Sequence, residues 1–256
     1  MGLKVVCVEW FEDEDLWREL YPYVFPAERV AAAGGQVTQI LALTGVASGA
    51  VLDLCCGPGR HAVEFARHGF RVTGVDRSGF LLERARESAE AADVAVEWVR
   101  EDMREFARPA AFDLACNLFT SFGYFAREED NLRVLRNVRE SLRDGGTLVM
   151  DMVGRERMER QGMEPRENRF ADGAVLTQQP HVNADWTRLD NEWTVVKGGR
   201  SRGYRFEHYL YSGQGLRERL LGCGFASVRL YGDLEGSPYD AEAARLVAVA
   251  ENRELR

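Results

Sequence analysis

The segment that most constrains the fold spans residues 51–78, which read VLDLCCGPGRHAVEFARHGFRVTGVDRS. It consists of an apolar strand, a Gly-Pro-Gly turn, a helix and a second apolar strand, and Asp53 and Asp76 stand at the strand ends. Strands joined by a crossover helix pair in parallel within one sheet. Such a turn lets a ligand lie against bare backbone, and an acid about 20 residues later can bind a ribose diol. The segment therefore predicts a nucleotide-like ligand at the carboxyl ends of these strands.

Strands and helices continue to alternate along the chain as far as residue 153. Further strands are predicted at 94–99, 112–118 and 147–153, with helices between them, and Gly145 and Gly146 are predicted to end the last helix. This alternation is typical of a doubly wound α/β fold. It breaks at residues 154–211, where strand-like pieces are separated by Gly, Asp and Asn. We therefore predict a mostly parallel, seven-stranded, Rossmann-like sheet with an antiparallel insertion after its fifth strand.

The first 45 residues are helical in pattern and rich in aromatic side chains, and Pro22 and Pro26 are expected to break the helix. We predict four units: a helical lid at 1–45, a ligand-binding core at 46–153, an insertion on the acceptor side at 154–211, and a completion of the core sheet at 212–256. Aromatic side chains on a lid exclude water and contact a substrate. The predicted substrate contacts are Trp10, Phe11, Trp17, Tyr21, Phe122 and Tyr124.

Composition and charge disfavour several classes of protein. A formal net charge of -8 argues against a nucleic-acid-binding protein, whose surface is usually basic. No apolar run approaches the roughly 20 residues that span a bilayer, and the N-terminal segment turns acidic too early for a signal peptide. The five cysteines form no spaced pairs, which predicts reduced, buried thiols in a cytoplasmic protein and no metal site.

The turn itself leaves two kinds of ligand to weigh. Residues 57–62 match the dinucleotide pattern G-x-G-x-x-A, so an NAD(P)-dependent reductase is one candidate. Asp53, four residues before the first glycine, would repel a pyrophosphate but attract a ligand that carries an ammonium and a sulfonium. S-adenosylmethionine is such a ligand. Its carboxylate can use the free N–H groups at the start of the following helix, where Arg60 and His61 stand.

Residues at the other strand ends agree with this ligand. Asp76 can accept hydrogen bonds from both ribose hydroxyls. Asp102 follows the third strand, where it can accept from an adenine amino group, and Met103 can cover the ring face. Asn117 and Phe119 close the fourth strand, at the place where a methyl group would point.

With these residues in place, the chain resembles the class I S-adenosylmethionine-dependent methyltransferases, in the branch that modifies small molecules. The resemblance rests on VLDLCCGPGRH, VTGVDRS, EDM, FDLACNLFTSFGYF, LRDGGTLVMDM and YSGQGLRERLLGCGF. It implies that Asp53, Gly57 and Gly59 shape the methionine end of the site. The predicted cofactor contacts are Asp53, Cys55, Gly57, Gly59, Arg60, His61, Asp76, Arg77, Asp102, Met103, Asn117 and Phe119. Cys55 stands where the family has a loop glycine, so residue 55 is not expected to adopt a positive φ freely.

The implied reaction is transfer of a methyl group to an N or O atom of a small amine or sugar-like acceptor. The protein would act by positioning and desolvating the reactants for in-line displacement. A base is needed only for an acceptor that arrives protonated, and the candidates are His208, Tyr211 and Asp233. Methylation of RNA or protein and an NAD(P)-dependent reductase remain alternatives.

Overall fold

In a computed structural model, residues 9–253 are described, and Cys7 lies outside them. A short 3₁₀ turn at Trp10–Glu12 precedes the first helix. The helices are α1 (Glu14–Val24), α2 (Ala27–Ala31), α3 (Ala33–Thr44), α4 (Arg60–Arg67), α5 (Gly79–Ala91), α6 (Glu128–Ser141), α7 (Arg155–Gln161) and α8 (Gly213–Gly222). The strands are β1 (Ala50–Leu54), β2 (Arg71–Asp76), β3 (Glu97–Arg100), β4 (Phe112–Asn117), β5 (Leu142–Met152), β6 (Arg166–Arg169), β7 (Val175–Val182), β8 (Arg188–Lys197), β9 (Arg200–Tyr209), β10 (Ser227–Tyr231) and β11 (Leu246–Glu251).

The central sheet has seven strands in the order β10-β11-β5-β4-β1-β2-β3. Strands β1 to β5 pair in parallel, whereas β11 is antiparallel to both β5 and β10. The predicted fold class is confirmed. Because β1 lies between β2 and β4, the chain winds away from β1 in two directions and leaves a crevice at the carboxyl ends of these strands, where α/β folds bind ligands.

Strand β1 is buried along its whole length, as expected for the centre of a parallel sheet covered on both faces. Leu52 and Leu54 pack into the apolar cluster on one face with Phe122. Val51 packs into the cluster on the other face with Phe65. Full burial of side chains of this size contributes about 1.5–3 kcal/mol each, so the strand that carries Asp53 is held firmly from both sides.

Two boundary predictions were wrong. Gly145 and Gly146 do not end α6, which stops at Ser141, because the chain enters β5 at Leu142 and pairs there with Phe112 across a bulge. Pro22 does not break α1, which continues around it to Val24, and Pro26 instead stands at the N-cap of α2.

The N-terminal helices are tied to the rim of the crevice through Glu14. Its carboxylate accepts hydrogen bonds from the backbone N–H groups of Gly79 (2.7 Å) and Phe80 (3.0 Å), and from the Ser78 hydroxyl (2.9 Å). A carboxylate at these N–H groups satisfies the open start of α5. Helix α1 is thereby fixed beside the end of β2.

Strands β6 to β9 form a second, wholly antiparallel sheet, as predicted for the insertion. Gly198 and Gly199, both at positive φ, make the tight turn between β8 and β9. Val195 and Phe206 of this sheet pack against Leu16 of α1 in one apolar cluster. The insertion and the N-terminal helices therefore form one cover. Among residues 9–253, no helix has both the length and the apolar character needed to cross a bilayer.

Candidate active site

A cavity of about 430 Å³ lies at the carboxyl ends of β1, β2 and β4. Three parts of the fold line it: the strand tips, the N-terminal segment from Trp10 to Arg29, and one face of the insertion sheet. One end of the cavity contains the acids predicted from the sequence, and the other end lies under the insertion. A concave, largely apolar site with a few polar groups is the usual form of a small-molecule site.

Asp53 supplies an unsatisfied charge at the first end. Its side chain is only 2% exposed, and within residues 9–253 its Oδ2 atom has no hydrogen-bond partner. Burial raises the pKa of this carboxyl to about 7, although Arg60 and the Ala62 N–H act in the opposite direction. A buried carboxylate oxygen without a partner is costly, and a cationic ligand in the cavity would satisfy it.

Asp76 organises the turn beside it. Its Oδ2 accepts from the Gly57 N–H (2.8 Å) and its Oδ1 from the Ser78 N–H (2.9 Å). Burial raises the pKa of this carboxyl, while the N–H groups of Ser78, Gly57 and Arg77 oppose the rise. The carboxylate both fixes the turn and lines the cavity.

The turn departs from the expectation for residue 55, since Cys55 adopts a positive φ of 61°. The left-handed conformation costs a non-glycine residue roughly 1–2 kcal/mol. Phe119 and Thr120, at the end of β4, are also left-handed, with φ of 58° and 62°. Asp151 holds this pair by accepting from the Phe119 N–H (3.1 Å) and, through its backbone carbonyl, from the Thr120 N–H (2.9 Å). Strain of this kind persists where the surroundings hold it and clusters at functional sites.

His208 is the titratable group at the insertion end. Its Nδ1 lies 2.9 Å from the Tyr209 carbonyl oxygen, which can only accept, so Nδ1 carries the proton and Nε2 has a free lone pair. Burial lowers the pKa of this imidazole below its ordinary value, which keeps it neutral. Its ring centroid is 5.1 Å from that of Tyr124, whose own ring packs 4.9 Å from Trp10.

The family model described as a methyltransferase domain matches residues 51–146, which carry β1 to β4 and the strand-tip acids. Residues 51–146 therefore resemble a methyltransferase domain in sequence. This match agrees with the predicted cofactor, S-adenosylmethionine, and favours it over the dinucleotide of a reductase.

Individual relatives agree with this family. A protein of Geobacillus sp. strain WCH70 named as a methyltransferase is 33% identical over 54% of the chain, and the match covers 52% of that relative, about half its length. The glycine/sarcosine N-methyltransferase of Aphanothece halophytica is 26% identical over 72% of the chain and 69% of its own length. An S-adenosylmethionine-dependent methyltransferase structure from Clostridium acetobutylicum superposes with a TM-score of 0.76, at 13% identity, over 94% of this chain and 99% of its own.

Most of the predicted cofactor contacts line the cavity. They are Asp53, Cys55, Gly57, Arg60, His61, Asp76, Arg77, Asp102, Met103 and Phe119. The unpaired Oδ2 of Asp53 fits the ammonium of S-adenosylmethionine. At Gly57 an added Cβ would lie 3.3 Å from the Phe25 ring, so a side chain there would narrow the cavity between them.

Two predicted cofactor contacts lie outside the cavity lining. Gly59 packs directly against the Trp98 side chain of β3. An added Cβ would lie only 2.5 Å from that ring, so close packing requires glycine at this position. Asn117 is buried and donates to the Leu54 carbonyl (3.2 Å), which links β4 to β1.

Asp102 is less available than the sequence indicated. Its carboxylate accepts from Arg104 Nε (3.0 Å) and Nη2 (2.7 Å) and also pairs with Arg77, which in turn pairs with Glu12. The adjacent Glu101 lines the same cavity, and its carboxylate makes no hydrogen bond among the described residues. Glu101 is thus a further acceptor at this end that sequence reasoning missed, although it stands in the quoted motif.

Among the predicted substrate contacts, Trp10, Phe11, Trp17 and Tyr124 line the cavity. Tyr21 does not, because its ring packs between Phe25 and Phe80. Phe122 does not either, because it is fully buried in the core and stacks on Tyr211.

Of the three predicted bases, only His208 lines the cavity. Tyr211 follows the end of β9 and is buried between Phe122 and Tyr209. Asp233 lies in the loop after β10, where its carboxylate accepts from the N–H groups of two residues of the same loop. Neither placement supports a role as base.

Sequence reasoning also missed the lining that the insertion contributes. It comprises Arg166, Gln178, Pro180, Leu189, Asn191, Trp193 and Phe206 of the sheet, together with Arg157 of α7. Within β7 and within β8 these residues are two apart, and Phe206 and His208 of β9 are also two apart, as expected for side chains on one face of a sheet. This alternation in the sequence could have indicated that these residues share one face of the sheet. It could not have indicated that this face is the covered one, because that depends on packing against α1.

The raised pKa of Asp53 predicts that cofactor affinity depends on pH. A bound ammonium favours the ionised carboxylate, so affinity should rise with pH by up to about tenfold per unit until about pH 7. The ligand's own α-amino group loses its proton near pH 8, so calorimetry is best confined to lower pH. In an Asp53→Asn variant the affinity should be weaker and independent of pH in this range.

The same substitution should have the opposite effect on the stability of the unliganded protein. The folded-state pKa of Asp53 lies above the unfolded value of 3.8, so the folded state binds the proton more tightly and stability falls as pH rises to about 7. Asp53→Asn removes that cost and should raise the free energy of unfolding at neutral pH by on the order of a few kcal/mol. Unchanged affinity with unchanged stability would contradict both expectations.

Proposed function

We propose that the protein transfers the methyl group of S-adenosylmethionine to an amine nitrogen of a small-molecule acceptor. The proposal rests on one observation: the same cavity is lined by the unpaired carboxylate of Asp53 and by the neutral imidazole of His208. Helix α1 and the insertion sheet cover this cavity, which favours a small acceptor over RNA or a folded protein.

In this proposal the cofactor is held by groups at the strand tips. Asp53 binds the ammonium, Asp76 binds the ribose hydroxyls, and Met103 contacts the adenine. When bound, S-adenosylmethionine supplies a methyl group already activated for attack by a nucleophile. Arg60 and His61 are not assigned a part in methyl transfer, because both donate hydrogen bonds to the Gln36 side chain of α3 (3.0 and 2.9 Å). They support the turn rather than the reaction.

The second half of the cavity excludes water and aligns the acceptor. Trp10 packs edge-on against Tyr124 (4.9 Å) and Phe206 (4.8 Å), which makes an aromatic wall beside His208. Positioning of two reactants in such a site can contribute about 7–11 kcal/mol to rate acceleration. The aromatic wall thus provides most of what a displacement at an activated methyl group requires from the protein.

The state of His208 favours nitrogen over oxygen as the methylated atom. A hydroxyl oxygen must lose its proton as it attacks, and burial, which lowers the pKa of the His208 imidazole, makes it a weaker base for that step. A neutral amine already has its lone pair, and the free Nε2 of His208 needs only to accept the proton that the nitrogen releases. The Aphanothece relative, named as an N-methyltransferase, agrees with this assignment.

The test is methyl transfer from radiolabelled S-adenosylmethionine to matched pairs of small amines and the corresponding alcohols, with bulk tRNA and a protein mixture as further acceptors. We expect label in amines only, and mass spectrometry should place the methyl group on nitrogen. Label in alcohols alone, or in RNA or protein alone, would contradict the proposal. The Asp53→Asn variant, assayed in parallel, separates enzymatic transfer from spontaneous methylation.

A further inference from the structure

Six arginine side chains line the cavity. Arg60 and Arg77 belong to the strand-tip end described above, and the other four are Arg29, Arg157, Arg166 and Arg245. Arg245 is neutralised by Asp151, which it contacts through Nε (2.6 Å) and Nη2 (3.0 Å). The other three have no carboxylate within ion-pair distance in the described part of the chain. Arg29 donates to the Val24 carbonyl (2.6 Å), and Arg157 and Arg166 both donate to the side-chain oxygen of Gln161.

These cations repel one another. Burial, followed by the charges of Arg245, Arg166 and Arg160, lowers the pKa of Arg157. Burial and Arg245 likewise lower the pKa of Arg29. A net charge of -8 leaves the chain with more acids than bases, yet Asp151 and Glu28 offset the lowered pKa values of Arg157 and Arg29 only in part, and among residues 9–253 neither acid forms an ion pair with them. Such an arrangement costs free energy in the unliganded protein, and an anion in the cavity would remove that cost.

A second observation points to a ligand at the same place. Trp193 Nε1 and Trp10 Nε1 belong to cavity-lining residues, are buried, and have no hydrogen-bond acceptor among residues 9–253. Unsatisfied buried donors are rare and call for an explanation. With the arginines, they give this end of the cavity a surplus of donors, which suits oxygen atoms that carry negative charge.

We infer that the methyl acceptor carries an anionic group, a carboxylate or a phosphate, which Arg157 and Arg166 bind in the cavity that Arg29 also lines. This inference rests on the proposed function, because the amine of the same molecule must lie toward His208. Planar guanidinium groups match the oxygens of both anions. An acceptor with an amine at one end and an anion at the other would be fixed in one orientation.

The binding test uses acetate and inorganic phosphate as probes on the full chain saturated with S-adenosylmethionine. Titrations at constant ionic strength, held with sodium chloride, are followed by tryptophan fluorescence, since Trp10 and Trp193 line the cavity. We expect at least one probe to bind saturably, and Arg157→Gln and Arg166→Gln each to weaken it about tenfold.

Arg155→Gln is the matched control, because Arg155 lies on the same helix α7 but pairs with Glu159 (2.8 Å) and does not line the cavity. Anion affinity should not change in this variant. The inference is overturned if neither probe saturates, or if Arg155→Gln weakens binding as much as Arg157→Gln. Thermal melting of each variant shows whether it is folded, and Arg166, exposed on a short edge strand, provides a second variant if Arg157→Gln is unstable.

Turnover then distinguishes the two anions. Glycine is compared with glycinamide, and glucosamine 6-phosphate with glucosamine. A kcat/KM at least tenfold higher for the anionic member of one pair supports the inference and identifies the anion. Faster turnover of the neutral members overturns it but leaves amine methylation standing. Failure of the wild-type protein to bind S-adenosylmethionine would instead contradict the proposed function.

Discussion

Replacement of Asp76 by alanine is expected to weaken S-adenosylmethionine binding about a hundredfold or more. In the proposed complex its carboxylate accepts two hydrogen bonds from the ribose, and bonds to a charged acceptor contribute about 1.5–3 kcal/mol each. The same oxygens already hold the Gly57 and Ser78 N–H groups, so the variant also releases the turn that shapes the cavity. Isothermal titration calorimetry measures the loss directly.

Asp113→Ala is the matched control for this experiment. Asp113 likewise accepts a hydrogen bond from the backbone, from the Ala50 N–H (2.7 Å). This bond lies at the amino ends of the strands, whereas the cavity lies at their carboxyl ends. Its loss should lower the melting temperature without changing cofactor affinity. If Asp76→Ala binds as tightly as the wild-type protein, the ribose assignment is wrong. If both variants lose affinity equally, general destabilisation explains the effect.

The core of the fold could be predicted because its determinants are local. The apolar strands, the Gly-Pro-Gly turn and Ser78, which caps α5 by accepting from the Leu81 N–H (3.2 Å), all lie in one continuous segment. A parallel sheet with right-handed crossovers leaves few topologies for such a pattern. The strand-tip acids follow from that topology, so their placement around one cavity needed no knowledge of distant residues.

The left-handed residues at the strand tips could not be predicted, because tertiary contacts hold them. A cysteine at residue 55 disfavours positive φ by its own propensity, and the same holds for Phe119 and Thr120. Asp151, more than thirty residues away in the sequence, supplies the hydrogen bonds that hold the last two. At this site tertiary contacts therefore override the preference of these residues for negative φ, and backbone strain of this kind clusters at functional sites.

The acceptor half of the site depends on packing between distant segments. Tyr211 and His208 are close in sequence, but β9 ends at Tyr209 and the chain then turns into the core. Arg29 of α2 and Arg166 of β6 are far apart in the sequence, yet both line one cavity, because the N-terminal helices pack against the insertion sheet. Sequence periodicity indicates that a sheet has two faces, but the face that is covered depends on its partner. The roles of the site residues and the four-unit division of the chain stay predictions.

Replacement of His208 by alanine is expected to lower kcat by a factor of about 10²–10⁴, the usual contribution of a positioned base. Cofactor affinity should not change, because His208 lies at the insertion end and not at the strand tips. The lowered pKa keeps the imidazole neutral at pH 7, so wild-type kcat should fall only as the pH drops below the ordinary histidine value of 6.5. In the variant, kcat should no longer fall at low pH. A purely structural role of the ring would not explain the disappearance of this acid limb of the pH profile.

His181→Ala is the control, since His181 lies on the same sheet in β7 but its side chain is exposed. It should retain wild-type kcat and the same pH profile. The decisive comparison is the shape of the profile, because loss of a buried ring can lower activity through packing alone. If His208→Ala loses activity but keeps the acid limb, another group titrates there, and His208 serves only to support Tyr124, whose ring it contacts. If the limb disappears with the ring, the free Nε2 is the proton acceptor, and methyl transfer requires it neutral.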